Sequence, residues 1–239
     1  MVPFLFHGRE LRLSPCGALW WPAESALLLA DLHLGKARFF ASAGQFLPPY
    51  DSYETALRIC ELIRQTDARH VLCLGDSFHD ADGAADLEAR ALALLRQCAD
   101  GRRWTWVTGN HDHAAAPPFG EVTGDMCVDR IWLRHEAVPR HSEPEISGHF
   151  HPKVQLHHRG RSIRRRCFLA SETKLVLPAF GALTGGLDVR HPAFYDALGA
   201  EFHALVPTGD RLLQWPVRAL AEPTRDTIGS RYAVARRIT

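Results

Sequence analysis

Five short clusters of carboxylate, amide and imidazole residues punctuate the chain between positions 31 and 151. They are Asp31-Leu32-His33, Gly75-Asp76-Ser77-Phe78-His79, Gly109-Asn110-His111-Asp112, His135, and Gly148-His149-Phe150-His151. Aspartate, asparagine and histidine offer oxygen and nitrogen lone pairs to a divalent cation, and no cysteine belongs to the set. That mixture suits Mn²⁺, Fe²⁺ or Zn²⁺ better than a thiolate-based structural zinc site. In the D-x-H and H-x-H pairs both side chains fall on one side of an extended segment, so one segment can serve a single ion or two adjacent ones. The chain holds 14 histidines. Histidine is the commonest metal ligand and titrates nearest neutrality, so the excess needs a chemical destination.

The hydrophobic pattern says what must position these clusters. Apolar runs predict buried strands over Ala26–Ala30, Val71–Leu74 and Trp104–Val107, each running directly into one of the first three clusters. Loops beyond the carboxyl ends of such strands converge on one crevice in an open α/β sheet. Helical spacing predicts helices over Asp51–Gln65 and Ala85–Cys98, with Asp51 as N-cap and Glu54 completing a capping box. Beyond them, short strand-like runs take over at Ile131–Leu133, Val154–Leu156, Cys167–Leu169 and Lys174–Leu177. Glu201–Val206 and Arg211–Val217 flank a hairpin turn at Pro207-Thr208-Gly209-Asp210. The order is βαβαβ followed by an antiparallel-rich β half. It predicts an α/β sandwich as a single domain over 1–239, with a tail after about 221 that carries no motif.

Composition narrows the class further. The 239 residues are 46% hydrophobic and 23% charged, which excludes a disordered or collagenous chain. A formal net charge of +1 gives no global reason to bind DNA or an anionic membrane, so any such affinity must be local. No apolar run approaches the ~18 residues of a membrane span, and the N-terminus does not read as a signal peptide. The six cysteines are scattered through mostly apolar stretches, the pattern of reduced core thiols in a cytoplasmic protein. The tryptophans (Trp20, Trp21, Trp104, Trp106, Trp132, Trp215) sit in strand-like contexts and are expected in the core.

The ordered set D-x-H, G-D-x-x-H, G-N-H-D, H, G-H-x-H resembles the calcineurin-like metallophosphoesterase superfamily over residues 31 to 151. Resemblance implies a four-layer sandwich, two mixed β-sheets flanked by helices, with two divalent ions, most readily Mn²⁺, at the sheet edge. It assigns Asp31, His33 and His151 to one ion and Asn110, His135 and His149 to the second, with Asp76 between them. His141 is the competing candidate for the His135 position. The mechanism implied is in-line attack on phosphorus by a hydroxide shared between two ions. His111 matches the family's catalytic histidine, and Asp112 is expected to orient it by accepting its other ring proton. His79 is similar to a catalysis-assisting histidine of SbcD-type repair nucleases.

A narrower likeness rests on Asp31-Leu32-His33-Leu34-Gly35-Lys36, on Gly44 to Pro49, and on Leu177-Pro178-Ala179-Phe180-Gly181 with Thr184-Gly185-Gly186. These segments resemble the DNA-ligase-associated metallophosphoesterases, nucleases linked with a ligase and a helicase in DNA repair. The expected activity is therefore a metal-dependent phosphodiesterase or endonuclease acting on DNA, with RNA as a further substrate. A small-molecule phosphoesterase and a non-catalytic scaffold are the rivals. Lys36 and Arg38 follow the first metal motif and are candidates for substrate phosphates. From Lys153 to Arg166 the chain carries Lys153, Arg159, Arg161, Arg164, Arg165 and Arg166 with no acid. That stretch, with His157 and His158, reads either as a solvated charge run or as a loop that tracks a phosphate backbone. His7, His70, His113, His191 and His203 fit no motif.

Overall fold

The computed structural model describes residues 1–80, 82–112, 116–158 and 161–220. His113, Arg159, the side chains of His157 and His158, and the tail beyond 220 lie outside the described part. The elements run β1 (Val2–Phe6), β2 (Arg9–Leu13), β3 (Leu19–Trp21), β4 (Ala26–Ala30), α1 (Lys36–Ser42), α2 (Asp51–Thr66), β5 (His70–Leu74), α3 (Ala89–Ala99), β6 (Arg103–Val107) and β7 (Glu121–Thr123). They continue with β8 (Met126–Val128), β9 (Ile131–Leu133), β10 (Glu145–Ser147), β11 (Lys153–His158), β12 (Arg161–Arg166), β13 (Phe168–Ala170), β14 (Lys174–Val176), α4 (Pro192–Leu198), β15 (His203–Thr208) and β16 (Arg211–Pro216).

Two seven-stranded mixed sheets result, ordered β1-β2-β3-β4-β5-β6-β7 and β16-β15-β13-β14-β10-β9-β8, and β11-β12 form a separate two-stranded ribbon. Period-2 alternation explains why both faces of each sheet are covered. Along β4, Leu27 and Leu29 pack with α2 and α3, whereas Ala26, Leu28 and Ala30 face the other sheet. The second sheet presents Ile146 and Leu175 to that middle layer. On its far side Leu169 and Val176 pack against Phe194 and Ala197 of α4 and against Val154 of the ribbon. Helices, sheet, sheet, then helix with ribbon make four layers, as expected. No helix among the described residues is long and apolar enough to cross a membrane.

Several expectations need correction. Asp51 does not cap α2: Tyr50 holds the N-cap position without a side-chain bond, and Asp51 is the first helical residue. The Asp51 carboxylate instead accepts from the Ala37 N–H at 3.1 Å, satisfying an orphan donor in the first turn of α1. The second predicted helix begins four residues late, at Ala89 rather than Ala85. The cysteines are not all reduced, because Cys60 on α2 and Cys98 on α3 form a disulfide, with Cα atoms 5.7 Å apart. Their separation of 38 residues hides a pairing that only the packing of α2 on α3 creates. Four tryptophans (Trp20, Trp21, Trp104, Trp106) are core, and Trp132 and Trp215 are half-buried.

Candidate metal centre

Strands β4, β5 and β6 are parallel and in register, so Ala30, Leu74 and Val107 end side by side. The chain leaves them at Asp31, at Gly75-Asp76 and at Gly109-Asn110, which brings three clusters to one edge. From the second sheet, parallel β9 and β10 deliver His135 and the Gly148–His151 segment to the same edge. The two sheets are joined there by backbone. The Phe180 N–H donates to Ala30 O at 2.8 Å, and the Gly181 N–H to Asp31 O at 3.2 Å.

Two ligand groups form, Asp31–His33–His151 and Asp76–His135–His149, and within each group the donor atoms lie within 4.8 Å of one another. Each group draws on both sheets. His33 Nε2 and His151 Nε2 are 3.2 Å apart, and His151 Nε2 is 3.5 Å from Asp31 Oδ2. His149 Nδ1 is 2.9 Å from His135 Nε2, which is 3.5 Å from Asp76 Oδ1. His135 Nδ1 reaches to 3.6 Å from Asp31 Oδ1, tying the groups together. Asn110, outside both carboxylate–imidazole groups, sets its Oδ1 2.8 Å from His135 Nε2. His141 stays away, beside Glu143.

The backbone is strained where these side chains originate. Asp31, His33, Asp76, His149 and His151 all have positive φ, between 43° and 71°. Each such residue costs about 1–3 kcal/mol and persists only where its surroundings hold it, which is typical of ligand sites. Two glycines make room. A Cβ on Gly75 would stand 2.2 Å from His135 Nδ1, and one on Gly148 would stand 2.8 Å from Asp31 Oδ2.

The donor set fits divalent cations. Asp31 and Asp76 are 0% and 3% exposed, and neither pairs with a lysine or arginine among the described residues. A buried carboxylate without a cation is costly. His33 Nδ1 is buried without a hydrogen-bond partner. Burial, and then the neighbouring His151 and Lys36, push the His33 pKa down to about 2, which keeps its lone pairs free for a metal. His149 is likewise lowered, by burial and by His135.

His111 stands at the open side. Its backbone N–H donates to Asp76 Oδ1 at 2.9 Å, its Nε2 lies 3.9 Å from Asp76 Oδ2, and its side chain is 44% exposed. Asp112 does not orient it, contrary to expectation. The Asp112 oxygens accept from the N–H groups of Ser77 (3.2 Å), Phe78 (3.1 Å) and Gly109 (3.1 Å), stitching the second cluster to the third. Burial nevertheless raises the Asp112 pKa. The His79 ring stacks on His111 at 5.9 Å with 12° between planes. Its pKa is lowered by burial and by Lys36.

The cationic candidates divide. Lys36 lies close enough to His33 and His79 to depress both. Arg38 turns away, donating to both oxygens of Asp80 at 2.5 and 2.7 Å. The basic stretch is an ordered ribbon, since Lys153 pairs with Arg166 and Gln155 with Arg164 across β11 and β12. Arg166 donates to Gly181 O at 2.7 Å and Arg164 to Gly186 O at 2.6 Å, so both brace the 181–186 loop. Arg165 is exposed. Lys153 and Arg164 to Arg166 line a cleft of about 470 Å³ with Pro15 and Val206–Thr208. Sequence reasoning missed Glu136, whose Oε1 is 3.7 Å from His149 Nε2, and Phe39 and Phe40, whose rings pack on His79. Their one signal was adjacency to a motif.

The chain is similar over 90% of its length, at 31% identity and a TM-score of 0.69, to a structure described as nuclease MPE of Pseudomonas putida, 98% of which is covered. No curated protein matches. Residues 25–186 match the model of the calcineurin-like phosphoesterases, a span that holds every ligand of both groups. The chain belongs to the calcineurin-like phosphoesterase family.

Proposed function

We propose that the protein is a metal-dependent phosphodiesterase that cleaves DNA, with a place in DNA repair. The observation that carries this reading is the pair of Asp/His groups at one sheet edge with His111 open beside them. Asp31, His33 and His151 would hold one ion; Asp76, His135, His149 and Asn110 would hold the other, with Asp76 between the two. Two divalent ions, manganese in our reading, would supply Lewis-acid stabilisation of the phosphoryl oxygens and would lower the pKa of a water. In this reading His111 would give a proton to the leaving oxygen, which its backbone bond to Asp76 and its 44% exposed side chain support. Asp112 keeps the His111 loop against the second cluster. His79 supports the His111 ring by stacking. Lys36 and the ribbon cations Arg164, Arg165 and Arg166 form a positive surface for the substrate backbone. Arg38, paired with Asp80, stays out of that surface.

Support for a polymer substrate comes from the likeness to a nuclease and from the acid-free ribbon. The likeness of residues 31–36 and 177–186 to ligase-associated enzymes supports the link to a ligase and a helicase. The test is direct. Purified protein with Mn²⁺ hydrolyses an aryl phosphodiester, and Asp76→Ala or His111→Ala lowers the rate by at least ~10²-fold, the usual scale for a lost acid–base group. Variants as active as wild type would remove the assignment. Cleavage of nucleotides but of neither DNA nor RNA would transfer the enzyme to small-molecule substrates.

A further inference from the structure

Aromatic surface is unevenly distributed. Among the described residues the large aromatics exposed to solvent are Phe39 (39%), Phe46 (88%), Tyr50 (58%) and Tyr195 (36%). Three of these four fall within residues 39–50, directly after the first metal motif. Phe39 stands closest to the chemistry. Its ring meets His79 edge-on at 4.6 Å, and His79 stacks in turn on His111. Phe40 lies 5.8 Å from His79, with 29° between planes, and 5.7 Å from Phe39, and the Lys36 ammonium stands 6.0 Å from the Phe40 ring. A cation and a partly exposed aromatic side chain thus share one short helix at the rim of the candidate metal centre.

Phe39 is on the first helix to leave the site, and over a third of its surface is left to water. Every nucleobase offers a π-face, and an aromatic side chain beside a cation is the usual pairing for base and phosphate on single strands. The geometry points to Phe39 as the platform on which an unpaired nucleobase beside the scissile phosphate stacks, with Lys36 reaching that nucleotide's backbone. This rests on the nucleic-acid reading above and extends it to the residue that holds the base.

The test is a binding cycle on a cleavage-impaired holoenzyme. His111→Ala protein with Mn²⁺ is titrated with a single-stranded oligothymidylate and with a fully abasic strand of the same length. The titrations are repeated with Phe39→Ala, Phe39→Leu and Phe39→Trp added. Phe39→Ala should weaken binding of the oligothymidylate by roughly 5- to 150-fold, the equivalent of one lost base stack. It should weaken the abasic strand far less, and Phe39→Trp should restore the difference. Leucine keeps the apolar contact with His79 but has no ring, so it should behave like alanine. An equal loss for both strands, or Phe39→Leu matching phenylalanine, would make Phe39 a packing residue and overturn the inference. If wild type cleaves DNA while Phe39→Ala leaves the preference for bases intact, this inference alone falls. Neither strand bound and no DNA cleaved would remove the nucleic-acid reading with it.

Discussion

Gly75→Ala perturbs one half of the candidate metal centre without replacing a ligand residue. The new methyl would sit 2.2 Å from His135 Nδ1 and 2.4 Å from its Cγ, with the ring wedged under the Leu74 carbonyl 3.3 Å away. Restoring ordinary contact at ~3.4 Å needs a displacement of about 1.2 Å, while metal–ligand distances tolerate only ~0.2 Å. The left-handed φ of +72° at Gly75 adds roughly 1–2 kcal/mol for any residue with a Cβ. Overpacking adds about 1–3 kcal/mol more. The three atoms nearest the new methyl all belong to His135, so the second ion's ligand takes the first impact. The variant should therefore fold with a lowered Tm, keep one ion with near wild-type affinity, and bind the second at least ~10–100-fold more weakly, the scale for disturbing a ligand's support. Elemental analysis after dialysis against graded Mn²⁺ counts the ions, and circular dichroism follows the fold. Two ions held as tightly as in wild type would show that His135 does not depend on the space above Gly75, and the argument would fail.

Three further outcomes follow from the rest of the molecule. Glu145 is fully buried with Lys174 (2.6 Å) and Arg134 (3.3 Å); Arg134 also reaches Asp125 at 3.4 Å, so Glu145→Gln should strand the buried Lys174 ammonium and cost about 3–5 kcal/mol in urea unfolding. A loss below ~1 kcal/mol would mean that water already reaches Lys174. The Cys60–Cys98 bridge closes a 38-residue separation, for which chain entropy allows up to roughly 4 kcal/mol, so melting with and without reductant should differ by several degrees. Coincident melts would deny the bridge a structural role. His70 is held below its ordinary pKa by burial and then by Arg103, and His203 by burial and then by Arg218. Both folded pKa values lie below the unfolded value near 6.5, so the unfolded chain takes up protons first. Stability should thus fall as pH drops through about 6.5, less steeply in a His70→Gln/His203→Gln variant; parallel pH profiles would refute this.

The sequence made the candidate metal centre legible because its candidate ligands are carried by local patterns. Asp31, Asp76 and Asn110 each stand just beyond a buried apolar strand, and strand ends in a parallel sheet meet. The same logic located β4, β5 and β6 to within a residue. What escaped was decided by partners distant in sequence. Asp112 looked like a support for His111, yet three backbone N–H groups from other turns claim its oxygens. Asp51 looked like a cap for its own helix, yet α1 folds against it. Arg164 and Arg166 read as free charge, and only the docking of the ribbon on the 181–186 loop shows them bound to carbonyls. Helix α1, seven residues long, is too short for a periodicity to show, which is why Phe39 went unnoticed.

The sourcing of each ligand group from both sheets has a consequence for the life of the protein in a cell. Each ion would act as a clasp across the middle layer, since Asp31 and His33 leave one sheet while His151 leaves the other, and Asp76 faces His135 and His149 in the same way. A ligand that binds only the docked form stabilises it by about 2.7 kcal/mol at a hundred times its Kd. Two clasps of that strength approach half of the stability of a typical domain. Metal scarcity would then do more than slow the enzyme. It would loosen the sandwich along its catalytic edge and expose the chain to proteases, so that metal supply would govern how much of the protein persists.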